Sequence, residues 1–134
     1  MTTLYDELQA DTRLTAMLAE VNRNDVAITD TFNVGRTKLV STKIGEIRVI
    51  ATLGLEAGNA LLDEIYGNTL YRYVKTSLQT GNLDIAHPLV RGTLDGLATA
   101  GTITQEQADL LKNLAVVPDH VTVAQVSDAL NLGI

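Results

Sequence analysis

Residues 54–81 read GLEAGNALLDEIYGNTLYRYVKTSLQTG, and the three glycines Gly54, Gly67 and Gly81 divide this stretch into two pieces. Between the first two, Leu55, Gly58, Leu61, Leu62 and Ile65 recur at steps of three and four, the spacing of one helical face. Asn68 is a good helix-capping residue, and after it Leu70, Val74 and Leu78 repeat every four positions up to Gly81. The spacing predicts two antiparallel helices joined at Gly67-Asn68, a helical hairpin.

The same grammar extends in both directions. Thr3 caps a helix over Leu4–Ala10, with Asp6 and Glu7 at its positive end. Asp11 caps a second helix through about Val21, with Leu14, Met17, Leu18 and Val21 on its buried face. Asn24 or Asp25 starts a third, which carries Val26, Ile28 and Phe32 and is ended by Gly35. Arg36–Val40 admits both an extended and a helical reading. Ser41 reads as the cap of a helix whose stripe, Ile44, Ile47, Ile50 or Ala51, and Leu53, ends at Gly54. Toward the C-terminus, Pro88 suits a first helical position, and Val90, Leu94 and Leu97 share a face. Gly92 and Gly96, four apart, predict a closely packed neighbouring helix. Thr104 and Gln107 form a capping box, with Ala108, Leu111 and Leu114 or Ala115 facing inward. Pro118–His120 is a loop. Thr122 then caps a last helix carrying Val123, Val126 and Leu130, ended by Gly133. The expected fold is all-α: a single domain over residues 1–134, built as a compact orthogonal or antiparallel bundle of about six to eight short helices.

Composition agrees with a self-sufficient core. A chain of 134 residues buries roughly two-thirds of its unfolded surface. Hydrophobic residues make up 46%, which excludes wholesale disorder; four tyrosines, one phenylalanine and no tryptophan make that core aliphatic. The absence of cysteine excludes disulfides, thiol nucleophiles and cysteine-based zinc sites. It fits a reducing cytoplasm, and equally a particle assembled there and later released. Met1–Glu7 has neither the basic nor the apolar region of a signal peptide, and no apolar run approaches the roughly 20 residues needed to cross a bilayer.

The net charge is −6, but its distribution is uneven. Residues 1–35 carry six acids against two bases, and residues 76–134 carry the same balance. Residues 36–75 carry four acids against six bases: Arg36, Lys38, Lys43, Arg48, Arg72 and Lys75. The plain reading is a solvated helix surface. The sharper one is a basic middle that docks against an acidic surface of a neighbouring copy or partner. Overall acidity disfavours nucleic acid as a ligand.

No catalytic, metal or cofactor residue is predicted. His87 and His120 lie in turns, and only Asp84 or Asp119 offers a third ligand; no His-Glu-x-x-His helix exists. Asp63 and Glu64 point about 100° apart on a helix and make no acid–base pair. Gly35-Arg36-Thr37-Lys38 lacks the glycine spacing of a phosphate loop. Ser41, Ser77 and Ser127 sit in no nucleophile elbow. Tyr66, Tyr71 and Tyr73 cluster with Arg72 and Lys75 around the Gly67 turn. That composition suits half-buried tyrosines at a hairpin end, an interface, or the stacking of single-stranded nucleic acid. The candidate interface therefore comprises Arg36, Lys38, Lys43, Arg48, Tyr66, Tyr71, Arg72, Tyr73 and Lys75.

Two stretches, Leu53-Gly54-Leu55-Glu56-Ala57-Gly58-Asn59-Ala60-Leu61-Leu62-Asp63 and Gly101-Thr102-Ile103-Thr104-Gln105-Glu106-Gln107-Ala108-Asp109-Leu110-Leu111, resemble small all-helical proteins encoded in the structural gene clusters of tailed bacteriophages, often near tail genes. The resemblance implies a virion component, assembled in the host cytoplasm, that works by contacts with other virion proteins and with copies of itself. It implies no cofactor and carries over no active site. A second expectation, from a different class, is a small DNA-binding or regulatory module using Arg36, Lys38, Lys43 and Arg48.

Overall fold

The computed structural model describes residues 2–134, and among them it is mostly helical. In chain order the elements are α1 (Leu4–Ala10), a 3₁₀ turn (Thr12–Leu14), α2 (Thr15–Leu18), α3 (Asp25–Asn33), β1 (Thr37–Leu39), β2 (Lys43–Ile44), α4 (Glu46–Leu53) and α5 (Leu55–Gly67). There follow a 3₁₀ turn (Thr69–Tyr71), α6 (Arg72–Gln79), β3 (Leu83–Asp84), α7 (Pro88–Thr99), α8 (Gln105–Lys112), a 3₁₀ turn (Asn113–Ala115), β4 (Val116–Pro118) and α9 (Val123–Leu132). The described residues group into two compact units. One comprises 2–38 and 118–134, the other 39–117. The chain changes unit within β1 and again within β4, the two strands of one short sheet.

The terminal unit is assembled from its caps. Thr3 and Asp6 form a capping box at α1, and Thr122 and Gln125 form another at α9. Asn24 caps α3 by accepting from the Ala27 N–H at 3.1 Å. Leu8, Leu14, Ile28, Phe32, Val126 and Ala129 make its core. The second helix is shorter than the stripe predicts. Asp11 starts only a 3₁₀ turn and α2 ends at Leu18, so Val21 lies in a turn and is fully exposed.

The central unit is built around α4 and α5. Gly54 is both the last cap of α4 and the first of α5, at φ +91°, a backbone conformation that costs glycine nothing and any other residue strain. The two helices then cross where Gly58 meets Ile50; a Cβ at position 58 would lie 2.8 Å from the Ile50 Cα. Leu61, Leu62 and Ile65 of α5 join Val49, Leu78, Leu94, Leu97 and Leu111 in one aliphatic core. The capping box Thr104–Gln107 opens α8, and Pro88 opens α7. Arg36–Val40 takes the extended alternative, as β1.

Three expectations are corrected. Ser41 caps no helix: its hydroxyl donates to Asp84 Oδ2 at 2.8 Å, because Lys43–Ile44 pair antiparallel with Asp84–Leu83 and hold residues 41–44 extended. Helix α4 accordingly starts at Glu46, its buried face passes through Val49, and Ile47 is exposed. Gly92 and Gly96 admit no close helix, since nothing lies within 4 Å of a Cβ at either position.

These two kinds of glycine should respond oppositely to alanine. Gly58→Ala forces α4 and α5 apart and is expected to destabilise by about 1–3 kcal/mol. Gly92→Ala and Gly96→Ala, in open helix, are expected to stabilise by about 0.5–1 kcal/mol. Urea unfolding of the three variants measures both.

Candidate functional site

The sequence-predicted interface residues separate into three environments. Arg36 is half-buried in the terminal unit, against the core residue Phe32. Its guanidinium lies 4.6 Å over the Phe32 ring, donates from Nη2 to Glu7 Oε2 at 2.9 Å, and stands 3.6 Å from Asp119. Lys38 reaches Asp119 at 3.8 Å. These two cations are neutralised inside their own unit. Of the four residues that a DNA-binding reading requires, only Lys43 and Arg48 remain without an ion pair among the described residues.

Tyr66 and Tyr71 are half-buried against the central core. The Tyr66 hydroxyl is buried without a hydrogen-bond partner of acceptable geometry. Burial, and after it the neighbouring Glu46 carboxylate, push its pKa up to about 12. Lys75, half-buried, holds its ammonium 5.6 Å over the Tyr66 ring. These aromatic side chains are packing residues of a hairpin end.

Arg72 and Tyr73 are outward-facing. Tyr73 is 75% exposed, with the Arg72 guanidinium 4.9 Å over its ring. Leu70, one turn earlier, is 76% exposed, and Leu89 at the start of α7 is 74% exposed. The repeat Leu70, Val74, Leu78 predicts one face for all three, and no sequence pattern singles out Leu89. The 3₁₀ turn at Thr69–Tyr71 rotates the stripe, so that Val74 and Leu78 point in while Leu70 points out. Tyr73 and Leu89 line one open groove of about 260 Å³, together with Val74, Ser77, Asp84 and His87.

The Asp84 carboxylate and one His87 nitrogen in this groove are engaged in local structure. Asp84 accepts from the Ser41 hydroxyl, the Thr42 N–H and the Ala86 N–H. The Ser41 bond, followed by the two backbone bonds, holds its carboxyl below the usual range. His87 is the N-cap of α7, its Nδ1 accepting from the Leu89 N–H at 3.1 Å. His120 belongs to the other unit. Among the described residues no group of three or more metal-ligating side chains converges. The enclosed cavity in the central core is about 10 Å³ with walls such as Leu61, Leu78 and Leu94, water-sized and apolar. No described helix is long and apolar enough to cross a membrane.

Comparison of the chain with protein-family models, with curated proteins and with solved structures finds no match.

Two measurements check this division of roles. Arg36→Ala removes a charge-assisted bond and a ring contact and is expected to cost about 1–3 kcal/mol, whereas Arg72→Ala at the surface stays within about 0.5 kcal/mol; chemical denaturation separates them. Unfolded tyrosine ionises near pH 10, while folded Tyr66 keeps its proton to about 12. The Tyr66 contribution to stability is therefore constant below pH 10 and is lost as pH rises between those values. Tyr66→Phe should remove that part of the alkaline loss, read by unfolding at stepped pH and by tyrosinate absorbance.

Proposed function

We propose that this chain is a non-enzymatic interaction protein, a subunit of a tailed-bacteriophage particle in the tail or head–tail region. The observation that carries the proposal is that Tyr73 and Leu89 line one open groove from outside the core, with the Arg72 guanidinium over the Tyr73 ring and Leu70 exposed in the turn before α6. Tyrosine and arginine are among the side chains in which binding energy at protein contacts is concentrated. A folded chain gains nothing for its own stability by exposing them together. The phage placement is supported by the resemblance of Leu53–Asp63 and Gly101–Leu111 to virion-cluster helical proteins.

The groove beside this face supports contact more than reaction, because Asp84 and His87 are already committed to caps and turns. The alternative of a DNA-binding module draws less support. Arg36 and Lys38 are paired with Glu7 and Asp119, and phosphate neutralisation needs free cations.

Mass spectrometry of purified particles from a phage encoding this polypeptide tests the proposal. The expected result is the polypeptide present at a fixed ratio to the other structural proteins. Its absence from intact particles contradicts the proposal.

A further inference from the structure

Helices α3, α8 and α9 open on caps whose acceptors are hydroxyl or amide oxygens, those of Asn24, Thr104 and Thr122. Helix α7 opens on a base. His87 Nδ1 accepts from the Leu89 N–H at 3.1 Å. Pro88 holds the first helical position and has no N–H, so the Leu89 amide is the first donor of the helix and the ring takes it. The Arg91 N–H closes the same turn on the His87 carbonyl at 3.1 Å. A ring nitrogen accepts only while it is unprotonated; an imidazolium has two donors and no acceptor. Protonation of this ring and the Leu89 bond therefore exclude each other.

The ring is exposed, so protons reach it without any opening of the core. His87, Leu89 and Val90 line the groove that Tyr73 also lines, and the segment held by the cap is thus one wall of that groove. The charged and titratable groups around the ring come from four elements. Asp84 of β3 accepts the His87 N–H through its carbonyl at 3.2 Å and carries the opposite charge. The Ser41 hydroxyl, then the Thr42 and Ala86 amides, hold its carboxyl below the usual range, so it stays ionised where an imidazole titrates. Lys43 of β2 stands opposite Asp84 in the strand register. Arg91, one turn along α7, donates to the Ile85 and Lys112 carbonyls. From α6 the titratable lining group is Tyr73. The positive end of α7 opposes a cation at its cap. His87 is the only histidine among residues 39–117.

We propose that His87 is a proton-sensitive latch on this groove. With the ring neutral, Nδ1 closes the first turn of α7 and fixes the wall that bears Leu89 and Val90. With the ring protonated, the Leu89 amide loses its partner, the first turn frays and the wall loosens. The effect is confined to the opening of α7, because α8 opens on the capping box Thr104–Gln107, which carries no titratable group. The inference rests on the reading of this groove as the docking surface and supplies its regulation: a surface formed at neutral pH and loosened in mild acid.

The test is hydrogen exchange of the full-length protein at about pH 7.5 and about pH 5, on either side of the imidazole range, with the intrinsic pH dependence of exchange divided out. The expected result is protection of the Leu89 and Arg91 amides about fivefold lower in acid, the weight of one N-cap, with the first turn of α8 unchanged. His87→Asn keeps a capping oxygen and removes the titration, so its protection should be the same at both pH values. His87→Ala should show the lower protection at both. Circular dichroism establishes that each variant is folded, and His87→Ser replaces an Asn variant that is not. Equal wild-type protection at the two pH values, or a fall of the same size in His87→Asn, overturns the proposal. This measurement needs no partner, whereas the docking reading is decided by the composition of particles, so the failure of one is told apart from the failure of the other.

Discussion

The backbone approach of α4 to α5 at Ile50 and Gly58 is the constraint on which the central unit depends. The two helices share a single residue as their joint, Gly54, and have no loop with which to adjust their angle. Once Gly54 turns the chain, contact at Gly58 fixes how closely the helices lie. Val49 and Leu61 then enter one core, and α6, α7 and α8 supply its remaining walls through Leu78, Leu94, Leu97 and Leu111. The aliphatic composition suits this arrangement, since short helices crossing at close range leave little room for large rings.

Electrostatics complements that packing differently in each unit. In the terminal unit the cations act as internal ties. Arg13 fastens the end of α3 by donating to the carbonyls of Phe32 and Val34, and its bonds to Asp11 hold that carboxyl below its ordinary range. Arg23 and the Ser127 hydroxyl lower the Asp25 carboxyl in the same way. In the central unit Lys112 pairs with Asp95 and Arg91 donates to the carbonyls of Ile85 and Lys112, while Lys43, Arg48 and Arg72 are exposed. A surface of this kind contributes little to folding.

Much of the fold was legible in the sequence because its determinants are local. A capping box such as Thr104–Gln107 involves four consecutive residues, and Pro88 or Gly54 states a backbone conformation by itself. What was not legible depends on residues far apart in the chain. Ser41 looks like a cap until Asp84, paired through the β2–β3 register, takes its hydroxyl. Arg36 looks like a free cation until Glu7 and Asp119 surround it. The candidate surface was half legible: Arg72 and Tyr73 remain outward, Tyr66 and Tyr71 turn inward. The difference arises from the 3₁₀ turn after Asn68, which shifts the phase of the following stripe and exposes Leu70. A periodicity argument assumes one continuous helix and misses such a shift.

Hydrogen exchange of the polypeptide, compared between dilute solution and the assembled particle, addresses the proposal that the chain docks through the hairpin end around Tyr73. The account predicts slowed exchange in the assembled state over residues 69–73 and 87–90, with the already protected amides around the α4–α5 crossing unchanged. Unchanged exchange at both of those segments, with new protection elsewhere or none, would contradict it.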